Sequence, residues 1–194
     1  MIDKLIKFKM MLPIIFPLSI FFLLILIITL LSNSSINSEN VLIKYYFDVP
    51  LENESIFITS RYGMRLDPFT GLDSFHDGID LVSKIDDYVI ASADGFVIEA
   101  QESLNSLGTY VKIEHSIEGE VYQTLYAHLL EESVLVSEGE YVEKGQRIGV
   151  IGNSGRSTGA HLHFSIYKLE RGKMISLDPE IVIERSEEFE EERF

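Results

Sequence analysis

His161-Leu162-His163-Phe164-Ser165-Ile166-Tyr167 alternates polar and apolar residues. On a strand, residues two apart share a face, so His161 and His163 present two imidazoles to one spot. Phe164 then points the other way, into a core. The same pattern extends outward along the chain. Short apolar runs at residues 56–59, 88–91, 96–100, 109–114, 121–127, 147–151 and 162–167 are rich in β-branched and aromatic side chains, with Gly, Asp or Asn between them. They predict a mainly β fold, an antiparallel sheet sandwich or barrel-like core. After position 31 no ten-residue segment shows the 3.6-residue apolar stripe of an amphipathic helix.

Composition narrows the chemistry. The 194 residues are 46% hydrophobic, enough for one packed domain with small additions. The 16 basic and 31 acidic residues give a net charge of −15. A nucleic-acid binder needs a basic footprint, so no nucleic-acid partner is expected. There is no cysteine, which excludes disulfides, thiolate metal sites and cysteine nucleophiles. Any metal must be held by His, Asp or Glu.

Residues 10–31 form an uncharged run of 22, with Lys4, Lys7 and Lys9 before it and no Lys or Arg from Ser32 to Asn40. At ~1.5 Å per residue the run reaches ~33 Å, enough to cross a bilayer core of ~30 Å. The charge asymmetry places the N-terminus inside and the remainder outside. The expected organisation is therefore a cytoplasmic N-terminus at 1–9, one transmembrane anchor at 10–31, a linker at 32–50, a folded domain at 51–180 and an acidic tail at 181–194. A cleaved signal peptide is the alternative; its apolar region is normally shorter, ~7–15 residues, and both readings export the domain. The location expected is the cytoplasmic (inner) membrane, single-pass, with the domain periplasmic or extracellular.

The five histidines are His76, His115, His128, His161 and His163. The His161/His163 pair supplies either two metal ligands or one ligand and one base. In His76-Asp77-Gly78-Ile79-Asp80 a histidine precedes a carboxylate by four residues, with Gly78 allowing a tight turn between them. A His, Asp, His set suits Zn²⁺, and three protein ligands leave a fourth position for water, as catalytic zinc sites do. His128, at the end of the 121–127 strand candidate, can reach the same cleft. His115 reads as an ordinary hydrogen-bonded histidine.

Together these segments resemble the M23 metallopeptidases, the lysostaphin/LytM-type peptidoglycan endopeptidases, over about residues 56–179. The resemblance rests on Ser60-Arg-Tyr-Gly-Met-Arg65, Asp67-Pro-Phe-Thr-Gly71, Phe75-His-Asp-Gly-Ile-Asp80, Tyr126-Ala-His-Leu129, Gly145-Gln-Arg-Ile-Gly149 and Gly152-Asn-Ser-Gly-Arg-Ser-Thr-Gly-Ala-His-Leu-His-Phe164, closed by Asp178-Pro179. It implies one Zn²⁺ per chain held by His76, Asp80 and His163. It also implies His161 and His128 as unligated catalytic imidazoles, His161 being favoured as the base. The implied substrate is an amide bond in peptidoglycan stem peptides or cross-links. Tyr62 and Ala160 depart from the commoner Phe and Pro, and neither is a ligand position. The alternative function is a non-catalytic LytM-like scaffold that activates another cell-wall hydrolase; the intact ligand set argues against it. A regulatory protein partner is expected in either case, because uncontrolled wall cutting is lethal. A phosphocarrier of hybrid β architecture would also use paired histidines, but it has no role for His76 with Asp80.

Overall fold

The computed structural model describes Ile27 and residues 46–53, 55–83, 87–102 and 106–184. The chain divides into two compact units, Met1–Asn40 and Val41–Phe194, and all described residues but Ile27 belong to the second. The expected anchor at 10–31 (Ile27 apart), most of the linker and the end of the acidic tail therefore lie outside the described residues. Among the described residues no helix is long and apolar enough to cross a membrane.

Strand follows strand along the chain: β1 Phe47–Asp48, β2 Phe57–Ser60, β3 Gly63–Leu66, β4 Asp73–His76 and β5 Ile79–Val82. Next come β6 Tyr88–Ile90, β7 Gly95–Gln101, β8 Thr109–Ile117, β9 Glu120–Leu129, β10 Tyr141–Val142 and β11 Arg147–Val150. The series closes with β12 Leu162–Glu170, β13 Lys173–Leu177, the one-turn helix α1 Pro179–Val182 and β14 Ile183–Glu184. One eight-stranded antiparallel sheet dominates, in the order β10-β7-β8-β9-β12-β5-β2, with β13 also on β12. Three two-stranded ribbons accompany it: β3–β4, β6–β11 and the parallel pair β1–β14.

The mainly β, antiparallel expectation agrees with this structure, although one large sheet with ribbons replaces two matched layers. The β8–β9 hairpin shows why the sequence folds so. Glu118 and Gly119 both take positive φ, 51° and 85°, the twist that a two-residue hairpin turn requires. The alternate residues Val111, Ile113, His115 and Ile117 are then buried on one face. With Ile79, Leu81, Tyr126, Leu162, Phe164 and Ile166 they meet Val89 and Ile148 of the β6–β11 ribbon. Phe164 is fully buried, as its place in the alternation predicts.

Two boundaries differ from expectation. Phe47, placed in the linker, is fully buried, pairs with Ile183 and packs edge-on against His115 and Tyr122. Val182 and Ile183, placed in the tail, are buried too. Asp178 caps α1 by accepting from the Glu180 N–H at 3.0 Å, which turns the chain back so that these apolar residues close the core. Among the described residues the buried core thus extends from Phe47 to Ile183. A charge-based boundary misses single apolar residues inside polar surroundings.

Candidate metal centre and cleft

Pairing of β5 with β12 sets Asp80 directly opposite His163. The β3–β4 ribbon ends on His76, which lies opposite Gly63. Between the two, Gly78 lets the chain pass under β12: a Cβ there would sit 2.4 Å from the Phe164 carbonyl oxygen and 2.5 Å from Ser165 Oγ. The reason for this glycine is close approach and not the tight turn expected, since its φ lies outside the left-handed range.

Three donor atoms converge. His76 Nε2 lies 3.1 Å from Asp80 Oδ1 and 3.0 Å from His163 Nδ1, and His163 Nδ1 lies 3.0 Å from Asp80 Oδ1. All three residues are buried, and they are the one such group among the described residues that could hold a metal ion. His76 donates its Nδ1–H to the Arg61 carbonyl at 2.9 Å, so its Nε2 presents a lone pair. Lone pairs and a carboxylate cannot face one another at 3 Å unaided; a proton or a cation must sit among them. Tetrahedral zinc with bonds of ~2.0–2.1 Å needs donors about 3.3 Å apart, so the set fits that ion. Burial alone would raise the Asp80 carboxyl, but hydrogen bonds with His163 and His76 outweigh it and hold Asp80 well below the usual range. Burial opposes charge on His163, yet Asp77 and Asp80 raise it. Arg65 reaches the other Asp80 oxygen, Oδ2, at 3.1 Å and also bonds Ser60 Oγ.

Two further imidazoles border the triad. His161 donates Nδ1–H to the Gly159 carbonyl at 2.7 Å, which leaves Nε2 facing the triad, 3.6 Å from Asp80 Oδ1. The His161/His163 pair therefore does share a face. The His128 ring lies 4.9 Å from that of His161, centroid to centroid. Its placement depends on a β-bulge. Thr109 pairs with Leu129 and Val111 with Tyr126, so Ala127 and His128 together oppose Tyr110. His128 takes φ of 62°, a strained value for a residue with a side chain. Its N–H bonds the Leu107 carbonyl at 3.0 Å and its Nδ1–H the Ser154 carbonyl at 2.9 Å. Burial first, then the neighbouring His161, push the His128 imidazole down to about 4.

A cleft of about 550 Å³ opens over these residues, with Arg65, Asp77, Arg156 and Ser157 on its walls. Arg156 forms a two-bond ion pair with Asp67, at 2.8 and 2.7 Å, and stacks over the Phe69 ring at 4.2 Å. All five residues singled out from the sequence, His76, Asp80, His128, His161 and His163, thus meet in one place. His115 does not; it is buried in the core with Nδ1–H on the Asp94 carbonyl at 2.8 Å. Sequence reasoning missed Asp77, Ser154, Ser165 and the Arg156–Asp67 pair. Asp77 is betrayed only by its contacts with His163 and Tyr167, Ser165 by its place two residues along β12 from His163, and the others by contacts between distant loops.

Comparison with known proteins decides the relationship. The model of peptidase family M23 matches residues 74–179, more than half of the chain. The chain belongs to peptidase family M23. Among relatives of this M23 chain, the peptidoglycan DD-endopeptidase ShyA of Vibrio cholerae is 39% identical over 112 residues, covering 58% of this chain and 24% of ShyA. The DD-carboxypeptidase/endopeptidase Mpg of Neisseria meningitidis is 40% identical over 107 residues, 55% of this chain and 23% of Mpg. The chain thus spans about a quarter of the length of these relatives. Among solved structures, a zinc-containing peptidase from Vibrio cholerae aligns with a TM-score of 0.57 and 34% identity, over 68% of this chain and 39% of that one. The lysostaphin catalytic domain of Staphylococcus simulans aligns at 0.54 and 28%, over 64% of this chain and 89% of that one. The mainly β antiparallel fold is therefore of the lysostaphin type.

Proposed function

We propose that this M23 chain is a zinc-dependent endopeptidase that hydrolyses amide bonds in peptidoglycan stem peptides or cross-links. The observation that carries the reading is the convergence of three buried donors, 3.0–3.1 Å apart, with the free Nε2 of His161 3.6 Å from one of them. His76, Asp80 and His163 hold the metal. When bound, zinc supplies a Lewis acid for the scissile carbonyl and lowers the pKa of a water to ~7.

The chain's own groups manage the proton. His161 Nδ1 is committed to Gly159, so Nε2 accepts the proton from the attacking water. The imidazolium so formed keeps its Nδ1–H on the Gly159 carbonyl and returns the Nε2 proton to the leaving amine. His128, with Nδ1–H fixed on Ser154, offers its Nε2 from the adjoining wall and orients the reacting groups. The relatives that are peptidoglycan endopeptidases support the substrate class. The uncharged run at 10–31, with Lys4, Lys7 and Lys9 before it and no Lys or Arg from Ser32 to Asn40, supports single-pass anchoring in the cytoplasmic membrane with the domain outside. A regulatory protein partner belongs to the same proposal; neighbours of this fold have been solved in the SpoIIQ–SpoIIIAH complex.

The test is digestion of isolated peptidoglycan by the full chain in detergent, with products read by mass spectrometry. Release of cleaved stem peptides that stops with a chelator and returns with zinc is expected. Absence of cleavage by a chain that holds one zinc would replace this reading with the scaffold.

A further inference from the structure

His163 has two nitrogens with different tasks. Nδ1 faces Asp80 and His76, and Nε2 faces away, 2.9 Å from Ser165 Oγ and 3.6 Å from Asp77 Oδ1. For Nδ1 to offer a lone pair, the proton must sit on Nε2. Ser165 alone does not enforce this. A hydroxyl can accept from Nε2–H, but it can equally donate to a bare Nε2, and that arrangement would put the proton on Nδ1 and spoil the site. A carboxylate only accepts.

We propose that Asp77 is the positioning residue that fixes the His163 tautomer and strengthens its metal-facing nitrogen, and that Tyr167 holds Asp77 in that orientation. The Tyr167 hydroxyl donates to Asp77 Oδ2 at 2.7 Å, which leaves Oδ1 turned toward His163. His163, Ser165 and Tyr167 are alternate residues of β12 and stand in one column on the cleft face. The main chain beside Asp77 is fixed as well, because Gly78 lies against the Phe164 carbonyl with no room for a Cβ. A negative charge behind a ligating imidazole raises its basicity, and losing such a partner typically weakens metal affinity about 10- to 100-fold. The long 3.6 Å approach makes Asp77 chiefly a charge and Ser165 the direct hydrogen-bond acceptor.

This inference rests on the proposed role of His163 as ligand, and the test separates the two. Zinc affinity of the full chain in detergent is measured by chelator competition for wild type, Asp77→Asn, Asp77→Glu, Tyr167→Phe and His163→Ala, with thermal melting of each metal-free form alongside. Expected are near-complete loss of zinc with His163→Ala, a fall of about 10- to 100-fold with Asp77→Asn, partial recovery with Asp77→Glu and a smaller fall with Tyr167→Phe, with the melting of the Asp77 variants close to wild type. Wild-type affinity in Asp77→Asn, beside loss in His163→Ala, overturns the inference and leaves the ligand reading standing. Wild-type affinity in His163→Ala overturns the ligand reading itself. Should Asp77→Asn fail to fold, Tyr167→Phe decides, and unchanged affinity there overturns the inference.

Discussion

His128 donates its Nδ1–H to the Ser154 carbonyl at 2.9 Å, and the Ser154 hydroxyl reaches past it to the Leu129 carbonyl at 2.6 Å. One residue of the loop before β12 thus grips both sides of the bulge that aims His128 into the cleft. The loop is itself interlocked with the one before β8. Gly108 and Gly155 approach so closely that a Cβ on Gly155 would sit 2.4 Å from Gly108 N.

Ser154→Ala tests this grip. It strands the buried Thr109 N–H, which donates to Ser154 Oγ at 2.9 Å. An unmet buried donor costs about 1–3 kcal/mol, so the melting temperature drops measurably. The strained φ at His128 then relaxes, and a misplacement approaching 1 Å can cost up to ~100-fold in rate. Peptidoglycan turnover should fall while zinc stoichiometry stays at wild type. Unchanged turnover in a destabilised variant would mean that His128 needs no such support.

Substitution within the His161/His163 pair separates base from ligand. His163→Ala removes one of three donors and should abolish both bound zinc and activity. His161→Ala leaves the triad intact, so zinc stays while the rate falls ~10²–10⁴-fold, the usual share of general-base catalysis. Metal analysis of the two purified variants reads the difference directly. Equal zinc loss would mean that the two roles are wrongly divided.

Acid should weaken the fold through His115. Burial pushes this imidazole down to about 4, whereas in an unfolded chain it titrates near ~6.5. The folded state therefore favours neutral His115. Its contribution is complete above pH ~6.5 and is lost as pH falls toward 4, with the whole window worth on the order of 3 kcal/mol. Melting curves between pH 7 and 4 should show a steeper decline for wild type than for His115→Gln. Parallel slopes would remove His115 as the cause.

Much of this site can be read in the sequence because its chemistry lies in local motifs. His161 and His163 share a face by strand alternation, and His76 and Asp80 are held four residues apart by a stretch too short to wander. Phe164 follows from the same alternation. What supports these groups cannot be read that way. The bulge at His128 has no glycine or proline to announce it, since the tolerated residue is the functional one. Asp77 looks like an idle surface residue until β5 pairs with β12. Phe47 and Ile183 seem to lie in linker and tail until the two short strands that carry them pair with each other.

The Arg156–Asp67 pair ties the turn after β3 to the loop before β12 across the cleft mouth. Asp67 also accepts the Phe69 and Thr70 N–H groups at 3.0 and 2.8 Å, so the bond to Arg156 fixes the whole turn and not one side chain. Arg156 holds the Asp67 carboxyl well below the usual carboxylate range, so the tie persists through mildly acidic conditions. Exposed ion pairs contribute little to global stability, and Arg156→Ala should melt within a few degrees of wild type. Its effect should fall on substrate: the cleft wall that Phe69 and Arg156 form loosens, and KM rises with kcat nearly unchanged. Arg156→Lys keeps the charge but loses the two-bond geometry and the flat contact with Phe69, so it should rescue little. Steady-state kinetics on a soluble cross-linked peptide separates the two constants. A fall in kcat at constant KM would place Arg156 in the chemical step instead of the wall.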